Sequence, residues 1–72
     1  MMFKPRRTWY NVELPKSKAE LLKGYLKDHS IYFEPSEVYY LIHFEILMNE
    51  IEASLVNSFL DRLGRDPVGK TV

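Results

Sequence analysis

Apolar and polar residues alternate along residues 38–48, VYYLIHFEILM. Val38, Tyr40, Ile42, Phe44, Ile46 and Met48 share one side, and Tyr39, Leu41, His43, Glu45 and Leu47 the other. That period of two, in a run rich in aromatic and β-branched residues, predicts a strand. Residues 8–14 repeat the pattern, with Tyr10, Val12 and Leu14 set against Trp9, Asn11 and Glu13. Pro15 closes that first strand, because proline cannot donate to a ladder.

Between these runs the period lengthens. Ser17 and Glu20 have the spacing of a capping box. Behind them Ala19, Leu22 and Leu26, with Leu21 and Tyr25, recur at helical intervals, while Lys18, Lys23 and Lys27 take the wet side. A helix is expected over 18–28. Gly24 inside it costs about 1 kcal/mol relative to alanine, and close packing against the sheet is its expected compensation. Residues 31–34 form a short second strand, and Pro35, Ser36 and Glu37 a turn into the long one. Asn49 and Glu52 make a second capping box. Ile51, Leu55, Val56, Phe59, Leu60 and Leu63 follow as a broad apolar stripe. Gly64 supplies a left-handed stop and Pro67 prevents resumption.

The order strand, helix, strand, strand, helix predicts an α+β fold. Strands 2 and 3 pair as a hairpin, strand 1 returns by a crossover, and both helices cover one face of a three-stranded sheet. Strand 3 takes the middle and strand 1 an edge. The topology is similar to the ferredoxin-like pattern lacking its last strand. The organisation is an N-terminal arm at 1–7, a single domain at 8–64 and a flexible tail at 65–72. The alternative resembles ribbon-helix-helix repressors, with residues 8–15 as the ribbon and Ser36-Glu37-Val38 opening a second helix. That resemblance implies a dimer whose outward ribbon residues, here Trp9, Asn11 and Glu13, read DNA. It also requires residues 38–48 to be helical.

Seventy-two residues allow one small domain. A chain of this size buries only about 60% of its unfolded surface. With no cysteine, neither a disulfide nor a thiolate metal site can staple it, which leaves packing or association. An apolar fraction of 46% is ample for a core. Ten basic and ten acidic side chains balance to zero, against the positive field of nucleic-acid binders. No signal-peptide pattern and no membrane-spanning apolar run are present, so a soluble, cytoplasmic protein is expected.

Chemistry is sparse. Residues 64–71, GRDPVGKT, satisfy the letter of a phosphate loop. They follow a helix where the mechanism needs a strand, so the match reads as coincidence. His43 and Glu45 lie two apart on one strand face and could share a proton. His29 sits near a helix C-terminus, where an imidazolium suits the dipole. Neither histidine has a metal-ligand spacing, and no nucleophile stands with a matching base. No cofactor, metal or catalysis is therefore expected. Lys4, Arg6 and Arg7, followed by Trp9 and Tyr10, form the one basic cluster interleaved with aromatics. It supports an alternative in which a nucleic-acid-binding regulator uses that arm and the sheet aromatics. Glu13, Glu34 and Glu45 would oppose phosphate on the same face. The leading expectation is a non-catalytic interaction module, homodimeric, that binds a macromolecular partner through the outer sheet face. Trp9, Tyr32, Tyr39, Leu41, His43 and Leu47 are its expected contact residues, because so much apolar area on one face favours association.

Overall fold

Six elements form in the computed structural model of the chain, which describes residues 6–65 and 68–70. They are β1 (Thr8–Pro15), α1 (Lys16–Asp28), β2 (Tyr32–Val38), β3 (Leu41–Met48), α2 (Glu50–Arg62) and a two-residue β4 (Gly69–Lys70). The strands lie in the order β2-β3-β1-β4, and every neighbouring pair is antiparallel. The chain is thus a small α+β fold, with β3 between β1 and β2 as expected. The ribbon-helix-helix alternative fails, because residues 36–48 lie in strands and a turn. Ile42, Phe44, Ile46 and Met48 are buried while Leu41, His43, Glu45 and Leu47 are half-buried, so burial follows the period of two.

The inward side chains build one core. Tyr10, Val12 and Leu14 of β1 and Ile42, Phe44, Ile46 and Met48 of β3 meet Ala19, Leu22 and Leu26 of α1. Ala53, Val56 and Leu60 of α2 complete it. Both helices therefore cover the same face of the sheet. Phe44 is fully buried at the centre, and burying a side chain of its kind contributes about 2–3 kcal/mol. The helices are tied to each other by Tyr25, whose ring stacks on Phe59 with centroids 4.4 Å apart. Lys18 Nζ donates to the Leu63 carbonyl at 2.6 Å, placing a cation on the C-terminus of α2, where the dipole favours it.

Several local expectations are corrected. The Ser17–Glu20 capping box does not form. Helix α1 starts at Lys16 straight from β1, with Pro15 as N-cap at φ −59° and no side-chain cap bond. Proline's fixed φ prepares that entry, Ser17 is already inside the helix, and Glu20 pairs with Lys23 at 3.3 Å. The hairpin turn is Tyr39-Tyr40, and Pro35 lies within β2 opposite Phe44. Counting from the Val38–Leu41 pair that closes the turn, Pro35 falls at a position whose nitrogen faces away from β3. It costs no ladder bond there and guards the edge strand. Gly24 is exposed, and a Cβ on it would meet nothing within 4 Å; close packing is not its explanation. Leu21, Ile51 and Leu55 remain exposed at 55%, 63% and 46%, because the core takes only the narrower stripe of each helix.

The ends of α2 form as expected. Asn49 Oδ1 accepts from the Glu52 amide at 2.8 Å, and Glu52 Oε1 accepts from the Asn49 amide at 3.0 Å. Gly64 adopts φ 75°, and the Gly64 and Arg65 amides donate to Asp61 and Leu60 carbonyls at 3.0 and 2.9 Å, a Schellman stop. Part of the expected tail is tied down. Val68 N donates to Asn57 Oδ1 at 2.9 Å, and Gly69 and Lys70 pair with Asn11 and Tyr10. Strand β1 is therefore covered along those two residues, and the sheet gains a short fourth strand. The Pro67 stop lies outside the described residues.

Candidate functional site

Among the described residues no helix lies on the other face of the sheet, and the strand register orders that face into four rows. From one end these are Tyr32–Leu47–Trp9, Glu34–Glu45–Asn11, Ser36–His43–Glu13 and Val38–Leu41–Pro15. Each row runs from β2 across β3 to β1. An apolar row thus stands at each end, with two polar rows between.

In the first row Trp9 and Tyr32 meet edge to face across Leu47, their centroids 6.1 Å apart at 72°. Aromatic pairs prefer that geometry. The Tyr32 hydroxyl donates to Glu34 Oε2 at 2.7 Å, and that bond raises its pKa by stabilising the neutral phenol. Trp9 and Tyr32 remain 37% and 57% exposed, while Leu41 and Leu47 are half-buried.

At the centre, His43 lies between two carboxylates. Its Nε2 is 3.1 Å from Glu45 Oε1, and its Nδ1 is 3.3 Å from Glu13 Oε2. A neutral imidazole has one N–H and can donate to only one of them; the imidazolium donates to both. The bond to Glu45 raises the His43 pKa above its ordinary value, partial burial lowers it, and Glu13 adds a further upward push. The two ring nitrogens face different carboxylates, so these groups do not converge on one point. Among the described residues no group of three histidine, cysteine or acidic side chains could hold a metal ion.

Five of the six expected contact residues, Trp9, Tyr32, Leu41, His43 and Leu47, are brought together on this face. The sixth, Tyr39, is not. It occupies the hairpin turn at φ 58° and is 93% exposed beside Tyr40 at 88%. The cause is the longer β2, which moves the turn four residues beyond Pro35. Sequence reasoning missed that Glu13 approaches His43 from the neighbouring strand; pairing Glu13 with His43 in register is the signal that finds it. Val38, 40% exposed, also joins the face.

The basic arm is only partly in view. Lys4 lies outside the described residues, Arg6 is exposed, and Arg7 Nε reaches Glu52 Oε1 at 3.3 Å. That partner belongs to the cap of α2, so Arg7 is held by a helix and not by the open face. Glu13, Glu34 and Glu45 do share the face, as the sequence implied. The phosphate-loop lettering is divided between the Gly64 helix stop and β4; Asp66, Pro67 and Thr71 lie outside the described residues. His29 caps α1, with Nδ1 2.9 Å from the Tyr25 carbonyl. Among the described residues no helix is long and apolar enough to cross a membrane. Comparison with known proteins finds no matching family model, no matching curated protein and no matching solved structure.

Proposed function

We propose that this chain is a small, non-catalytic interaction module that forms a homodimer through the open face of its sheet and works in the cytoplasm. The single observation that carries the proposal is a sheet face on which no helix lies among the described residues, with apolar rows at both ends. Trp9, Tyr32, Leu41 and Leu47 present aromatic and aliphatic surface of the kind that interface cores use. A monomer gains nothing by leaving such area wet. The three carboxylates beside them repel phosphate, and Arg7 is already paired, so nucleic acid is the weaker reading of the same surface.

The size of the face sets the strength. Eight residues at about 3.4 Å each, across three strands about 4.8 Å apart, give a footprint of roughly 400 Å² per protomer. Stable interfaces use about 800 Å² per partner, so a weak, reversible dimer is expected. Sedimentation velocity across a micromolar concentration series tests this. Wild type should shift toward dimer as concentration rises, and Leu41→Glu and Trp9→Glu should stay monomeric while keeping their far-ultraviolet circular dichroism. A monomer at every concentration, or a dimer unaffected by either change, would remove the proposal.

A further inference from the structure

We infer that the second copy docks about a two-fold axis running across the strands, with His43 of each protomer over the partner's Glu45, and that protonation of His43 tightens the association. Resting on the homodimer proposed above, the arrangement follows from the four rows. Face-to-face sheets can be related by a two-fold axis lying between them, directed either along or across the strands. An axis along the strands keeps each row against its own kind and sets Glu45 over Glu45. An axis across the strands, placed between the two polar rows, reverses their order. The Tyr32–Leu47–Trp9 row then meets the Val38–Leu41–Pro15 row, and the Glu34–Glu45–Asn11 row meets the Ser36–His43–Glu13 row. Both apolar ends find apolar partners, and His43, the one group of the four rows that becomes cationic on protonation, meets a carboxylate. Charge complementarity therefore selects the crossing axis.

The same count makes the contact proton-sensitive. Among the described residues the groups facing His43 are Glu13 from β1, Glu45 from its own strand, and Ser36 beside Glu34 from β2. With neutral histidine the described residues of the four rows carry three carboxylates, Glu13, Glu34 and Glu45, and no cation. Bringing two such faces together in a partly desolvated interface is opposed by like charge. Protonation removes one unit from each face and turns both His43 contacts into hydrogen bonds. It thereby also holds the Glu13 and Glu45 side chains against their own protomer, leaving the apolar rows clear to meet. The bond to Glu45 already favours the charged imidazole in the free protomer. The sign is fixed: association takes up protons and strengthens as pH falls.

Sedimentation velocity on the intact chain at about pH 8 and about pH 6 tests this, using wild type, His43→Gln, Glu45→Gln and the control His29→Gln. His29 is the only other histidine and sits at the end of α1. Screened charges a few ångströms apart translate to roughly tenfold tighter dimerisation at the lower pH. His29→Gln should keep that response. His43→Gln should lose it, and Glu45→Gln should dimerise more tightly than wild type at about pH 8. A wild-type dimer of equal strength at both pH values, or one whose pH response survives His43→Gln, overturns the proton gating while leaving the homodimer standing. Monomers at every pH and concentration overturn the homodimer itself.

Discussion

Replacing Tyr39 by glycine should stabilise the chain, and replacing Ser36 by glycine should weaken it. Tyr39 holds φ 58° in the two-residue turn between Val38 and Leu41. A left-handed conformation costs a residue with a Cβ about 1–2 kcal/mol. Tyr39 recovers little by contact, being 93% exposed. Glycine removes the steric cost but loses about 0.5–1 kcal/mol through its freer unfolded chain. The net gain is about 0.5–1 kcal/mol, or roughly 2–8 °C in melting temperature for a domain this small. Ser36 is inside β2, paired with His43, where glycine costs about 0.5–1 kcal/mol. Thermal unfolding followed by circular dichroism, at one dilute concentration and about pH 8, measures both on the same footing. If the turn instead lay at 35–37, Ser36→Gly would be neutral and Tyr39→Gly would cost. That reversed order would refute the placement of the hairpin and, with it, the four-row face.

Other outcomes follow from the same geometry. Gly24→Ala should raise stability by about 1 kcal/mol, since the new methyl meets nothing within 4 Å and the helix gains propensity; denaturant unfolding reads it directly. Asn49→Ala should cost about 1 kcal/mol by orphaning the Glu52 amide bonded at 2.8 Å, again visible as a lower denaturation midpoint. His43 has a raised pKa in the folded state, so its contribution is fully present below the ordinary value of about 6.5 and is lost as pH rises through the raised one. Stability should therefore slope downward across that window in wild type and less steeply in His43→Gln; parallel slopes would sever the link.

The strands were legible because burial on one face imposes alternation, and a slip of one residue would expose the whole core. Tyr10, Val12, Leu14, Ile42, Phe44 and Ile46 all point where that rule puts them. The Asn49 and Gly64 caps were legible because their chemistry is local. What escaped depends on neighbours. Pro35 reads as a turn residue until an edge strand gives its nitrogen an outward position. Ser17 reads as a cap until Pro15 starts the helix first. Tyr39 shares the alternation but is removed from the sheet by the turn that Pro35 failed to make. The His43 site was half visible: Glu45 is two residues away on one strand, whereas Glu13 arrives only through the pairing of β1 with β3. Leu21, Ile51 and Leu55 fit the helical stripe, yet a single sheet face is too narrow to cover them.

Those exposed helix residues supply the sharpest contrast for the central claim. Backbone amide and indole chemical shifts should be followed as the protein is concentrated at about pH 6. Burial of the open sheet face by a second copy predicts shifts at Trp9, Tyr32, Leu41, His43 and Leu47, with Leu21, Ile51 and Leu55 unchanged. Shifts confined to the helix residues, or none at all, would contradict it.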